Sequence, residues 1–94
     1  MERKFAAAWV KSREAAMELG VRMRPVKPET ALLDARRTLS GRRLSDGFKD
    51  LARLHRLDLS LEALATDRRY TALFSDEEVN EALTRLLEAG YYQL

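Results

Sequence analysis

Residues 74–90 read FSDEEVNEALTRLLEAG, and this segment carries the signals that mark both ends of a helix. Ser75 is a favoured N-cap residue, and Glu78 follows at the spacing of a capping box, in which each side chain accepts a hydrogen bond from the other residue's backbone N–H. Phe74 and Val79 are spaced for a hydrophobic staple, and Gly90 suits the left-handed position that ends a helix. The apolar face of this helix is expected to be buried, and it consists of Val79, Leu83, Leu86 and Leu87.

The apolar composition of the chain favours helix over strand. Of the 94 residues, 16 are Leu and 13 are Ala, whereas the chain has no Ile and four Val. Leu and Ala are strong helix formers, and strands favour β-branched residues. The sequence therefore predicts an all-α fold, a single compact domain over residues 1–94 with four to five short-to-medium helices. A chain this short buries only roughly 60 to 65 per cent of its unfolded surface, so dimerisation is a natural way to bury more apolar surface and complete the fold.

Three further helices are expected within residues 2–57, and a short one between that range and residue 75. The first is predicted over residues 2–19, with Gly20 past its end, and two prolines mark residues 21–28 as a linker. The second is expected to hold Pro28 in its first turn and to end at Gly41. The third is expected to follow Ser45 as its N-cap and to run to about residue 57. Residues 58–74 are the least regular, and we predict a short helix after Ser60.

Several classes of protein are disfavoured by what the chain lacks. It contains no Cys, which excludes disulfides and Cys-based zinc or iron–sulfur sites. No ten consecutive residues are apolar, so no helix is expected to span a membrane. The apolar run near the start is too short for a signal peptide. We expect a cytoplasmic protein with no cofactor, no metal ion, no membrane association and no small-molecule substrate.

Charge is divided unevenly along the chain. Residues 1–43 carry 11 basic and 5 acidic side chains, whereas residues 44–94 carry 6 and 10. An arginine-rich segment over residues 22–43 supplies the candidate contacts for nucleic acid or a partner, which are Arg22, Arg24, Arg36, Arg37, Arg42 and Arg43. Since phosphate contacts need only charge and reach, such a patch would bind nucleic acid without sequence preference. The alternative is that these arginines are solvated and pair with the acidic second half, within or between subunits.

Three other patterns point to structure rather than to a site. A repressor-like helix-turn-helix does not fit, because taking Gly41 as the turn places Arg37 where Ala is needed. His55 shares a helical stripe with Phe48 and Leu51, so we expect it to be partly buried and hydrogen-bonded rather than a metal ligand. An acidic cluster is expected to stabilise the start of the last helix rather than to hold a cation, and its members are Asp76, Glu77, Glu78 and Glu81.

The favoured function is a protein–protein interaction module, a regulator or adaptor that forms a homodimer or binds another protein. Candidate subunit-interface residues are Phe5, Trp9, Tyr92 and Leu94. The alternative is a nucleic-acid-binding protein, non-specific or groove-binding, that uses the arginines of residues 22–43. An enzyme is disfavoured, because no set of residues meets the geometry of a catalytic site.

Overall fold

Within residues 1–91, five α-helices form the fold: α1 Glu2–Glu18, α2 Ala31–Ser40, α3 Phe48–Arg53, α4 Leu61–Ala65 and α5 Asp76–Glu88. The computed structural model describes residues 1–91, and that part of the chain contains no strand. Two single turns of 3-10 helix flank α4, at Leu57–Leu59 and Thr71–Leu73. The radius of gyration, 12.0 Å, matches the roughly 12 Å expected of one globule of this length. The prediction of a compact all-α fold is confirmed, whereas dimerisation stays a prediction.

The ends of α5 follow the local signals in the sequence. The hydroxyl of Ser75 accepts a hydrogen bond from the backbone N–H of Glu78 at 3.1 Å. The Glu78 carboxylate in turn accepts one from the backbone N–H of Ser75 at 2.7 Å, which completes the capping box. At the other end Gly90 adopts the left-handed conformation, with φ of 80°.

The face of α5 that enters the core is only partly the one predicted: Leu86 is fully buried and Val79 packs against the core, as expected. Ala82 is fully buried, but Leu83 and Leu87 are 37 and 55 per cent exposed. Arg85 lies on the buried side instead, where its guanidinium pairs with Glu62 of α4 at 3.1 Å. The predicted burial of Leu83 and Leu87 is therefore wrong, because hydrophobic periodicity takes no account of a charged side chain that finds its partner inside the fold.

The part of the core formed by the described residues consists of two apolar clusters, one at each end of α1. Phe5 is at the centre of the first, with its ring centroid 5.4 Å from that of Phe74, 5.7 Å from that of Tyr70 and 5.8 Å from that of Trp9. The other buried members of this cluster are Ala6, Ala31, Ala35, Leu39, Leu61, Leu64, Ala65 and Ala82. The second cluster comprises Ala16, Val21, Phe48, Leu51, Leu57, Leu59 and Leu86. Helix α1 therefore joins the two halves of the core.

The starts of α2 and α3 differ from their predicted positions. Helix α2 begins at Ala31, because residues 28–30 form a turn that keeps Pro28 outside the helix. Helix α3 begins at Phe48, after Gly47 in the left-handed conformation. Ser45 does not cap it, because the Ser45 hydroxyl donates a hydrogen bond to the carboxylate of Glu62 instead. The short helix predicted after Ser60 is present as α4, and the Ser60 hydroxyl caps it.

His55 lies outside α3, which ends at Arg53. Its backbone adopts the left-handed conformation, with φ of 59°, and its side chain is exposed. The backbone N–H groups of His55 and Arg56 donate to the carbonyls of Ala52 and Leu51, which is the Schellman pattern that more often holds Gly. The prediction that His55 is partly buried and hydrogen-bonded is therefore wrong. Helix α3 ends at Arg53, so His55 does not continue the buried face of Phe48 and Leu51.

Candidate binding groove

A groove of about 1100 Å³ lies between the linker that precedes α2 and the loop that follows it. Residues 23–27 of the linker and residues 41–46 of the loop line it, together with side chains of α2. Trp9 of α1 and Leu61 of α4 also contribute, so the lining combines apolar and polar groups. Each of α1, α2 and α4, the helices that reach this groove, also contributes residues to the core cluster around Phe5.

Positive charge dominates the lining of this groove. Its five basic side chains, all on exposed residues, are Arg24, Lys27, Arg37, Arg42 and Arg43. The two carboxylates are already engaged: Asp46 lies 3.6 Å from the guanidinium of Arg24, and Asp34 accepts a hydrogen bond from the Thr30 hydroxyl at 2.8 Å. The other four cations form no ion pair with any carboxylate of residues 1–91. Five cations against two carboxylates give the described lining of the groove a net charge of +3.

The structure brings four of the six candidate arginines to this groove and separates the other two from it. Arg36 donates to the carboxylate of Glu78 at 3.1 Å and lines a smaller hollow of about 360 Å³. Arg22 is exposed but does not line the groove. Lys27 joins the group, although sequence reasoning selected only arginines. The sequence signal that could have included Lys27 is its position between the two prolines of the linker, Pro25 and Pro28.

The Arg36–Glu78 pair ties α2 to α5 and removes Arg36 from the available positive charge. Burial raises the pKa of Glu78, but the hydrogen bond from the Ser75 backbone N–H and the Arg36 guanidinium outweigh it. The net result is a pKa for Glu78 below its usual range, so the carboxylate stays ionised and the pair stays formed at neutral pH.

The predicted subunit-interface residues fall in three different places. Phe5 is 0 per cent exposed, so in this conformation its side chain has no surface to offer a second subunit. Trp9 is partly buried and lines the groove, and its indole Nε1 is buried with no hydrogen-bond partner among residues 1–91. Tyr92 and Leu94 lie outside the described residues.

Two of the four acidic residues predicted to stabilise the start of α5 bond to arginine side chains. Glu78 pairs with Arg36, and the carboxylate of Glu81 accepts a hydrogen bond from Arg85 at 2.8 Å. Across residues 1–91, no three His, Asp or Glu side chains are placed to hold a metal ion together. None of the helices over the same residues combines the length and the apolar character that crossing a bilayer requires.

Comparisons with protein-family models, with curated proteins and with solved structures gave no match. The groove bears on function more directly than the fold does, because one helical architecture supports many activities.

Proposed function

We propose that this chain is a protein–protein interaction module, a regulator or adaptor without catalytic activity, which binds an acidic segment of another protein in the basic groove. The observation that carries the proposal is the set of groove cations without an ion-pair partner in the described chain, namely Lys27, Arg37, Arg42 and Arg43. Acidic side chains of a partner would supply the missing counter-charges, which steer association and set specificity.

The apolar part of the lining supports a peptide segment as the occupant. Trp9, Met23 and Val26 lie among the cations, and each is partly buried. An apolar side chain placed against them would gain about 25 cal/mol for each Å² removed from water. The volume of about 1100 Å³ lies just above the range of small-molecule pockets, which run from roughly 300 to 1000 Å³. An extended acidic segment with one apolar anchor therefore fits both the charge and the size of the groove.

Single-stranded nucleic acid is the second candidate, and Trp9 is the observation that favours it. Proteins that bind single strands combine cations along the backbone path with aromatic rings on which bases stack. Duplex DNA fits less well, because the major groove admits a protruding helix or ribbon, whereas these arginines surround a concave surface.

The test is a fluorescence-anisotropy titration of two labelled probes, an acidic peptide containing one Leu and a single-stranded oligothymidine, at low and at physiological salt. The proposal predicts that the peptide binds and that its affinity falls as salt rises. Binding of the oligonucleotide alone would replace the proposal by its second candidate. Failure of both probes to bind at low salt would reject the groove as an anion-binding surface.

Two matched double variants locate the binding. Arg42→Ala/Arg43→Ala removes two groove charges, and Arg68→Ala/Arg69→Ala removes an exposed arginine pair that does not line the groove. Exposed ion pairs contribute up to about 1 kcal/mol each, so the groove variant should lose about tenfold in affinity. The control should bind nearly as well as the wild type. An equal loss in both would mean that net charge, not the groove, determines binding.

A further inference from the structure

The loop over residues 41–45 forms one side of the groove and carries Arg42 and Arg43. The backbones of Arg42, Arg43 and Leu44 make no hydrogen bond to any described residue. The loop is instead held at its two ends. A guanidinium nitrogen of Arg85 donates to the Gly41 carbonyl at 2.9 Å. Glu62 accepts hydrogen bonds from Ser45, one from the backbone N–H at 3.2 Å and one from the hydroxyl.

Both charged groups lie inside the protein. Glu62 is 0 per cent exposed and Arg85 is 5 per cent exposed, and their side chains pair directly at 3.1 Å. Arg85 also donates to the carbonyl of Thr38 at the end of α2 and to the carboxylate of Glu81. Beyond their bond to each other, Glu62 and Arg85 thus make most of their hydrogen bonds to Ser45 and Gly41, the two ends of the loop.

A contact between α4 and α5 alone would not require these charges. Replacing a buried ion pair with well-packed apolar residues is often neutral or stabilising, so such a pair is weak support for a purely stabilising role. Apolar residues here would leave the Gly41 carbonyl and the buried Ser45 N–H without their present partners, and an unpaired buried polar group is costly. The charged pair therefore holds both ends of the loop, which an apolar pair at these positions could not do.

We infer that Glu62 and Arg85 are positioning residues for the groove, which fix both ends of the 41–45 loop so that Arg42 and Arg43 remain along its edge. The consequence for binding rests on the proposed function of the groove. The restraint on the loop does not, and it can be measured without any ligand.

Two substitutions loosen the loop from opposite ends. Arg85→Lys keeps a positive charge beside Glu62 but lacks the planar fork that reaches the carbonyls. Ser45→Ala removes the hydroxyl donor to Glu62. The control is Ala16→Gly, a buried change in α1 within the second core cluster, which lowers global stability without touching the loop.

The measurement is amide hydrogen exchange of the full chain under conditions in which circular dichroism shows every variant folded. Exchange at the hydrogen-bonded amides at the two ends of the loop, those of Gly41 and Ser45, is expected to accelerate about tenfold in both loop variants, with α1 little changed and no such local increase in Ala16→Gly. An increase spread evenly over the chain, as in the control, would overturn the inference by showing that the pair only adds global stability.

The same variants are titrated with the labelled acidic peptide. A fall in affinity of about fivefold or more in Arg85→Lys, with Ala16→Gly binding as the wild type does, supports the role in binding. Faster loop exchange with unchanged affinity would overturn that role. If the wild type itself binds no probe, the proposed function fails, and the exchange data still decide whether the pair holds the loop.

Discussion

Replacing Phe5 with Ala should remove the centre of the first core cluster. The Phe5 ring is fully buried and lies within 5.8 Å, centroid to centroid, of three other aromatic rings. A buried Phe→Ala change costs about 3 to 5 kcal/mol, through lost burial and the cavity left behind. Edge-to-face contacts of the kind made with Tyr70 and Phe74 add to the loss.

That cost is large for a chain of this size. At about 0.05 to 0.15 kcal/mol per residue, the free energy of unfolding of a 94-residue protein is about 5 to 14 kcal/mol. With each kcal/mol worth about 4 to 8 °C, Tm should fall by about 12 to 40 °C. Phe5→Leu retains much of the apolar volume and should lose much less.

Urea denaturation followed by circular dichroism, at two widely separated protein concentrations, measures the effect. We expect the loss in Phe5→Ala to be the same at both concentrations, because the ring packs within its own chain. A loss below about 1 kcal/mol would refute the central place of Phe5 in the core. A loss in Phe5→Ala that changes with protein concentration would instead return Phe5 to the subunit interface that the sequence predicts.

Three further predictions concern local structure and can be checked by thermal and urea denaturation. Ser75→Ala should cost about 1 kcal/mol, since it removes the N-cap of α5, and an unchanged Tm would argue against the capping box. His55→Gly should stabilise the protein by about 0.5 to 1 kcal/mol, because Gly adopts the left-handed conformation without strain; a loss of stability would contradict this. The pKa of Glu78 is lower in the folded protein than in the unfolded chain, so ionised Glu78 stabilises the fold. This stability is present above the ordinary glutamate pKa of about 4.3 and is lost as pH falls through the lower pKa of the folded state. Glu78→Gln should therefore flatten the acid dependence of the free energy of unfolding. An acid dependence identical to that of the wild type would contradict that role.

The sequence predicts best those features that depend on neighbours within about four residues. The bounds of α1 and α5 follow from such signals, including the Ser75 capping box and the terminal glycines Gly20 and Gly90. Ser45 shows the limit of that reasoning, since its hydroxyl could cap a helix but bonds Glu62, 17 positions away. Arg85 pairs with Glu62, which lies 23 positions away in the sequence, and no local sequence pattern predicts this contact.

The sequence predicts that a basic surface exists, but not which basic residues form it. Composition alone identifies an arginine-rich segment, yet which arginines share a surface depends on how the linker and the loop fold beside α2. Successive residues of a helix point about 100° apart. Arg36 therefore reaches Glu78 of α5, whereas Arg37, one position later, lines the groove. Lys27 reaches the same groove through the linker, a placement that only the tertiary fold decides.

The most direct test of the groove as a binding surface is a two-dimensional amide spectrum of the ¹⁵N-labelled protein titrated with the unlabelled acidic peptide. We expect chemical-shift changes to concentrate at the Trp9 indole N–H and at the amides of residues 23, 24, 26, 27 and 37–46, and to weaken as salt rises. Changes confined to other surfaces, such as the exposed leucines of α5, or no change at low salt, would contradict this expectation.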